Sequence, residues 1–369
     1  MAKYIYQLEN WPGFEWEAEK LSPLLSEVRF TQGKLIGRME ALGFDLQQEA
    51  SLETLTLEVL KSSEIEGELL NSDEVRSSIA RKLGMDVAGL VASDRNVDGV
   101  VEMMLDATQR YEAELTPDRL FAWHASLFPT GRSGMHKIVT GAWRNNSPDD
   151  PMQVISGAMG KEKVHYQAPE AAVLDAEMKA FCDWFNSRDT MDPVMKAAIS
   201  HLWFVTIHPF DDGNGRIARA ITEMQLSRAD NNQQRFYSMS AQIRKERIAY
   251  YQVLERTQQN TLNISNWLQW FLQCLQRALQ ATGHSLQTVM SKARFWEQHK
   301  ESGFNKRQLL MLNKLLDGID GKLSSSKWAK MAKCSADTAV RDINDLIERG
   351  VLAKDAGGGR STSYVFREY

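Results

Sequence analysis

The chain has 369 residues, of which 43% are hydrophobic and 25% charged, and its formal net charge is −4. This is the composition of a globular protein with enough chain for two or three domains, and the charge excludes a general attraction to nucleic acid or acidic membranes. Three widely spaced cysteines argue against a disulfide framework and a zinc site. The N-terminus has no signal-peptide pattern and no apolar stretch is long enough to span a membrane, so we expect a cytoplasmic protein.

Helical periodicity dominates the first part of the chain, where apolar residues recur at three- and four-residue spacing. The helices predicted there cover 16–42 (as two helices divided near Arg29), 52–60, 71–83 and 90–115. Residues 71–74 have the pattern of a helix N-cap followed by a carboxylate. We therefore expect an N-terminal helical region over residues 1–110.

A β-hairpin is predicted in the middle of the chain, after the loop-like residues 144–151. Its strands would be 152–156 and 163–167, on either side of a turn at 157–160. Further helices are predicted over 170–186, 193–207, 217–228, 245–258 and 265–281. Together these elements form a predicted central domain over residues 111–285.

The C-terminal residues predict a winged-helix module over 300–369. Its helices would cover 306–316, 324–332 and 335–349, and its strands 351–354 and 363–366, around a turn at 357–359. Residues 304–369 carry 12 Lys or Arg and 8 Asp or Glu, but four acidic residues lie on the candidate recognition helix, which disfavours phosphate contacts. We expect this module to dock protein or form a dimer, and DNA binding stays open.

The stretch HPFDDGNGRIAR, from His208 to Arg219, carries the chemistry. A Gly-Asn-Gly turn at a helix N-terminus presents backbone N–H groups to an anion, most often phosphate. Asp212 can hold a divalent cation that bridges phosphates, and Arg216 and Arg219 can bind the same phosphate chain. His208 can take a proton near neutral pH. These residues predict a site for phosphoryl or nucleotidyl transfer.

The sequence excludes two other kinds of binding loop that contain glycines. A calcium loop with Gly215 at its sixth position would place Phe210 and Ile221 where carboxylates belong. The chain has no GxxxxGK[ST] sequence, and residues 318–322 are too short to replace one, which excludes a P-loop NTPase.

HPFDDGNGRIAR resembles the Fic family signature HxFx[DE]GNGRxxR at every defined position, a match that chance would give in fewer than about one in a million chains. The resemblance implies a mainly α fold: a Fic-type helical core with a β-hairpin flap, an N-terminal helical region and a C-terminal winged helix. It also implies a protein adenylyltransferase, which moves AMP from ATP onto a Tyr, Thr or Ser hydroxyl of a target protein and releases pyrophosphate.

The resemblance also implies the role of each residue in the motif. His208 deprotonates the target hydroxyl, Phe210 anchors the loop in the core, and Asp212 binds Mg²⁺. The ATP phosphates are held by Gly213, Asn214, Gly215, Arg216 and Arg219. The two arginines bind the β- and γ-phosphates and the departing pyrophosphate.

Three further segments resemble Fic elements. The hairpin over 152–167 resembles the flap that holds the target by strand addition, although it could be purely structural. Tyr250 and Tyr251 resemble an element that lines the adenine pocket. Ser62-x-x-x-Glu66-Gly67 resembles the inhibitory helix motif [ST]xxxE[GN], in which Glu66 would pair with Arg219 and occupy the place of the γ-phosphate.

Two alternative functions stay open. Glu66 could orient a water molecule, so that the protein removes AMP from modified targets. Alternatively, the winged helix could bind DNA while the Fic core only senses nucleotide. Self-modification and homodimer formation are open as well, and no membrane partner is expected.

Overall fold

The computed structural model describes residues 4–85, 90–157, 160–161, 163–299, 302–316, 319, 321–355 and 362–367. The chain forms two compact units, Met1–Thr282 and Gly283–Tyr369. The predicted boundary near residue 110 lies within the first unit and stays a prediction. The hairpin turns predicted at 157–160 and 357–359 fall wholly or partly outside the described residues.

The first unit is mainly α, which confirms the predicted fold class. Its helices are α1 (Ala18–Glu40), α2 (Phe44–Ile65), α3 (Ser72–Lys82), α4 (Arg95–Gln109), α5 (Pro117–Leu127), α6 (Leu174–Asn186), α7 (Pro193–Ile207), α8 (Asn214–Asp230), α9 (Met239–Lys245), α10 (Arg247–Gln258) and α11 (Ser265–Gln298), the last of which continues into the second unit. In the described residues, no helix is long and apolar enough to cross a membrane.

Several predicted helix boundaries are wrong. The break near Arg29 is absent, because the buried residues Leu21, Val28, Gln32, Leu35 and Met39 follow one face of a single helix. Helix α4 begins at Arg95 rather than at residue 90, since the Asp94 carboxylate accepts the Val97 N–H and caps the helix there. Residues 245–258 are split at Glu246, and the helix predicted to end at residue 281 extends to Gln298.

Among the described residues, the strands form three antiparallel pairs. In the flap, β3 (Gln153–Ser156) pairs with β4 (Lys163–Gln167), with an irregularity in register at Val154/Ile155. A shorter hairpin, β1 (Arg132–Ser133) with β2 (His136–Lys137), was not predicted. Two-residue strands give almost no alternating pattern, so the sequence offered no signal for it.

Helix α8 lies at the centre of the first unit. It packs along α7 and also contacts α2 and α4. Every residue of α7 from Val194 to Ile207 is buried, as expected of a helix that is covered on all sides. The HPFDDGNGRIAR loop joins α7 to α8, so two buried helices hold both of its ends.

The second unit contains α12 (Lys306–Leu316), α13 (Ser325–Ala332), α14 (Ala336–Glu348), β5 (Leu352–Lys354) and β6 (Tyr364–Phe366). Its core lies around the fully buried Trp328, Ile343 and Leu346. Three helices are followed by a strand pair, and the assignment of this unit as a winged helix stays a prediction. Asp342, on the candidate recognition helix α14, is buried and accepts from the Arg307 Nε at 2.8 Å, so its charge does not lie on the exposed face.

Candidate active site

His208 ends α7 in a left-handed backbone conformation, with φ 52° and ψ 58°. A residue other than glycine rarely adopts this conformation, and such strain is concentrated at functional sites. Two hydrogen bonds hold it: the His208 N–H donates to the Phe204 carbonyl at 3.0 Å, and the His208 carbonyl accepts from the Arg144 Nε at 2.8 Å. The histidine therefore leaves the helix in a fixed direction.

The imidazole of His208 presents one ring nitrogen as a proton acceptor. Its Nδ1 lies 3.3 Å from the Val205 carbonyl, and because a carbonyl only accepts, Nδ1 carries the proton and the Nε2 lone pair is left to accept one. Burial lowers the pKa of His208 to about 4, and the nearby charge of Arg144 acts in the same direction. The ring is therefore neutral at physiological pH. Its pKa lies below the near-neutral value expected from the sequence, because burial disfavours the charged form.

Phe210 and Asn214 fix the shape of the loop. Phe210 is fully buried and its ring stacks on His124, with ring centres 4.2 Å apart. The Asn214 side chain accepts from the Phe210 N–H at 3.0 Å and donates to the Phe210 carbonyl at 2.7 Å. The side chain of Asn214 is thus used within the loop, which leaves its backbone N–H, in the first turn of α8, to face an anion.

The two neighbouring carboxylates in the loop have different partners. Asp211 accepts from the Val139 N–H at 2.8 Å and is held against that segment. Asp212 accepts from the Ser133 hydroxyl and from the Gly213 N–H. Mg²⁺ is usually bound by one or two carboxylates together with substrate phosphates, and Asp212 beside the N-terminus of α8 fits that donor set. Within the described ranges, no group of three or more His, Cys, Asp or Glu side chains could hold a metal ion.

At two positions of the loop, a residue with a side chain would clash with its neighbours. Gly213 has φ 80°, and an added Cβ would lie 2.9 Å from a ring carbon of Phe128. A Cβ on Gly215 would collide with the Glu66 carboxylate. Helix α8 therefore begins with a backbone that neighbouring groups can approach closely.

Ser62 and Glu66, at the end of α2, both bind Arg219. The Arg219 guanidinium donates to the Glu66 Oε1 at 2.7 Å, to the Ser62 hydroxyl at 2.9 Å and to the Ser62 carbonyl at 2.9 Å. Arg219 is buried, and its Nη1 has no hydrogen-bond partner among the described residues. A buried, partly unpaired guanidinium beside a helix N-terminus is a group that an anion would stabilise.

The tyrosine pair on α10 divides into a buried and an exposed member. The Tyr250 ring is buried, and its hydroxyl hydrogen-bonds the His201 Nε2 at 2.8 Å. Tyr251 is 38% exposed and Arg247 lies over its ring. Of the two predicted adenine contacts, Tyr251 is the one whose ring is accessible from solvent.

The flap is attached to α10, the helix that carries both tyrosines. The His165 Nδ1 lies 2.9 Å from the Glu255 carboxylate, and the Gln259 amide donates to the His165 carbonyl at 2.8 Å. On the flap itself, the side chains of Ile155 and Val164 are exposed. The hairpin therefore has a fixed base and an apolar surface in contact with solvent.

Several residues that contact the loop were not predicted from the sequence to lie there. Arg144 was predicted only as the first residue of a loop before the hairpin, whereas its guanidinium donates to the His208 carbonyl. His124 lies 3.2 Å from the Asp212 carbonyl, and Glu68 pairs with Arg216 at 2.5 Å. Glu68 alone had a signal in the sequence, since it follows the predicted inhibitory motif directly.

Residues 114–226 match the sequence profile of the Fic/DOC family, and residues 4–85 match a domain of unknown function, DUF4172. The protein adenylyltransferase fic-1 of Caenorhabditis briggsae is 29% identical over 217 residues, which cover 57% of this chain and 40% of that protein. The protein adenylyltransferase fic-1 of Caenorhabditis elegans is 30% identical over 179 residues, which cover 48% of this chain and 32% of that one. The chain thus spans well under half the length of these relatives.

Solved structures share the fold. A Fic family protein from Desulfovibrio desulfuricans G20 aligns over 94% of this chain and 95% of its own, with a TM-score of 0.51 and 20% identity. A Fic domain containing signaling protein from Bacteroides thetaiotaomicron aligns over 69% of this chain and 95% of its own, with a TM-score of 0.50 and 20% identity. Residues 114–226 thus carry a Fic/DOC domain, which confirms the resemblance predicted from HPFDDGNGRIAR.

Proposed function

We propose that this protein is an adenylyltransferase that moves AMP from ATP onto a Tyr, Thr or Ser hydroxyl of a target protein. The observation that carries the proposal is the junction of α7 and α8, where His208 and Asp212 directly precede the N-terminus of α8 and Arg219 follows it within the same helix. The relatives named protein adenylyltransferase support the same activity.

The proposed reaction is a single displacement at the α-phosphate of ATP. The Nε2 of His208 takes the proton from the target hydroxyl, and the hydroxyl oxygen forms a bond to the α-phosphorus. The bond between that phosphorus and the oxygen bridging to the β-phosphate breaks, and pyrophosphate leaves. Such a reaction depends mainly on positioning and on neutralising charge, which the backbone N–H groups of Asn214 and Gly215 and the guanidinium groups of Arg216 and Arg219 would supply. The Gly213 N–H, which the sequence also placed at the phosphates, donates to the Asp212 carboxylate instead.

Asp212 would hold the Mg²⁺ ion, with the ATP phosphates as further ligands. The ion would neutralise phosphate charge when bound. The accessible ring of Tyr251 would pack against the adenine, with Tyr250 behind it. The exposed edge of the flap would bind an extended segment of the target by strand addition, and Ile155 and Val164 favour a segment with apolar side chains.

Glu66 would hold the enzyme in an inhibited state. Its carboxylate takes the hydrogen-bonding positions of Arg219 that a γ-phosphate needs, so ATP would bind with its α-phosphate out of line. Misplacement of a reacting group by about 1 Å costs on the order of 10²-fold in rate. Release of Glu66 from Arg219 would therefore activate transfer.

Glu66→Gly is expected to raise the labelling of targets, or of the protein itself, by about 10-fold or more. The measurement is incorporation of label from α-labelled ATP by wild type and Glu66→Gly, each with and without Arg219→Ala. Activation should depend on Arg219, because the variant acts by releasing that guanidinium to the γ-phosphate.

Glu64→Gly is the matched control for this experiment. It removes a carboxylate from the same end of α2, but Glu64 pairs with Lys61 and Arg244 rather than with the site. We expect no activation from this change. A Glu66→Gly protein that labels no faster than wild type would rule out the inhibitory role and leave residues 62–67 as an ordinary helix end.

A further inference from the structure

The end of α2 is a Schellman cap, the hydrogen-bonded turn that often closes a helix. The Glu68 N–H donates to the Ser63 carbonyl at 3.1 Å and the Gly67 N–H donates to the Glu64 carbonyl at 3.1 Å, while Gly67 has φ 90°. Because these bonds fix the backbone beyond the helix, they fix the position of Glu68 as well as that of Glu66. Two carboxylates are thus held on either side of one glycine.

Each of these carboxylates binds a different arginine of α8. Glu66 pairs with Arg219 at 2.7 Å, and Glu68 pairs with Arg216 at 2.5 Å. Both guanidinium groups are buried, with side-chain exposures of 2% and 4%. The end of α2 therefore covers both arginines of the phosphate-binding motif.

The guanidinium of Arg216 is held in place with hydrogen-bonding capacity left for an anion. Its guanidinium lies 5.0 Å above the Phe128 ring, and its Nε is buried without a hydrogen-bond partner among the described residues. Glu68 is the carboxylate paired with it there, and the Glu68 side chain is 47% exposed. A half-exposed carboxylate can swing into water, whereas the arginine it covers is held in place.

We propose that Glu68 is a second inhibitory carboxylate, which competes with a nucleotide phosphate for Arg216. Glu66 at Arg219 and Glu68 at Arg216 would then occupy the places of two phosphate groups of a polyphosphate chain. This inference rests on the proposed function, since it assumes that ATP binds at the N-terminus of α8. It implies that full activation requires both carboxylates to move, and that Glu68 regulates how tightly ATP binds.

The test is calorimetric titration of the full chain with ATP and, separately, with AMP, both in the presence of Mg²⁺. Glu68→Gln keeps the size of the side chain and removes the charge, so ATP should bind about 5-fold more tightly than to wild type, the scale of a partly exposed ion pair. AMP has no β- or γ-phosphate, and its affinity should not change. Glu64→Gln removes the same charge from the same helix end and should leave both affinities unchanged.

Two results would overturn the inference while the proposed function survives. The first is that ATP binding is measurable for wild type or for Glu66→Gly, but Glu68→Gln binds ATP no more tightly than wild type does. The other is an equal gain for AMP, or for Glu64→Gln, since that would show a general effect of charge rather than competition at Arg216. If no variant binds ATP, Glu66→Gly included, the proposed function fails and this inference fails with it.

Discussion

His208→Ala is expected to lower the rate of AMP transfer by about 10²–10⁴-fold, the usual contribution of a positioned general base. The affinity for ATP should stay near that of wild type, because His208 lies at the edge of the loop and its imidazole is not one of the groups that would hold phosphate. The Val205 carbonyl fixes the proton on Nδ1, and burial keeps the ring neutral, so the base is lost without loss of a positive charge. Transfer rate and ATP affinity should be measured on the same preparations.

His136→Ala provides the control for this substitution. His136 is exposed on β2, and the same change there should leave the transfer rate as it is in wild type. If His208→Ala labels targets at the wild-type rate, then the proton goes to another group and the proposed mechanism is wrong.

Asp212→Ala is expected to lower the transfer rate by about 10²-fold or more. The activity that remains should no longer depend on Mg²⁺. Asp212 is the carboxylate directly before the Gly-Asn-Gly turn, whereas Asp211 is held by the Val139 N–H. The measurement is the transfer rate as Mg²⁺ is titrated. Loss of Asp212 should flatten that titration curve.

Asp211→Asn tests whether this effect is specific to one carboxylate. An amide oxygen can still accept from the Val139 N–H, so the loop should keep its shape, and the Mg²⁺ titration should match that of wild type. Normal activity with normal Mg²⁺ dependence in Asp212→Ala would show that the metal is held elsewhere.

The candidate site could be proposed from the sequence because its parts are contiguous. HPFDDGNGRIAR places a base, a carboxylate, an anion-binding turn and two arginines within twelve residues, and a helix-loop-helix brings them together without any long-range contact. The mainly α fold could be predicted for a similar reason, since most helices have a strong periodic pattern.

The contacts that hold the loop could not be predicted, because they join residues far apart in the chain. Arg144 holds the His208 carbonyl across 64 positions, and Ser62 holds Arg219 across 157. A local sequence pattern gives the residue types but not these distant partners. The pairing of Glu66 with Arg219 was predicted only because residues 62–67 resemble the inhibitory motif. The burial of Tyr250 could not be predicted for the same reason, since its hydrogen-bond partner His201 lies on another helix.

Helix boundaries were the least predictable feature of the fold. Two predicted boundaries are wrong. The Asp94 carboxylate caps α4 later in the chain than predicted, and the apolar face of α1 continues without a break past Arg29. The start of α4 is set by a local contact, the Asp94 cap on Val97. The continuity of α1 is set by packing in the folded chain, where propensity is only a weak guide.

Intact-mass spectrometry after incubation with ATP and Mg²⁺ tests the central claim most directly. Wild type, Glu66→Gly and Glu66→Gly/His208→Ala should each be incubated alone and with candidate target proteins. We predict a mass gain equal to one AMP group on protein, greater with Glu66→Gly than with wild type and lost when His208 is also replaced. A gain equal to a phosphate group, or no gain with Glu66→Gly on any protein tested, would contradict the assignment of this chain as an adenylyltransferase.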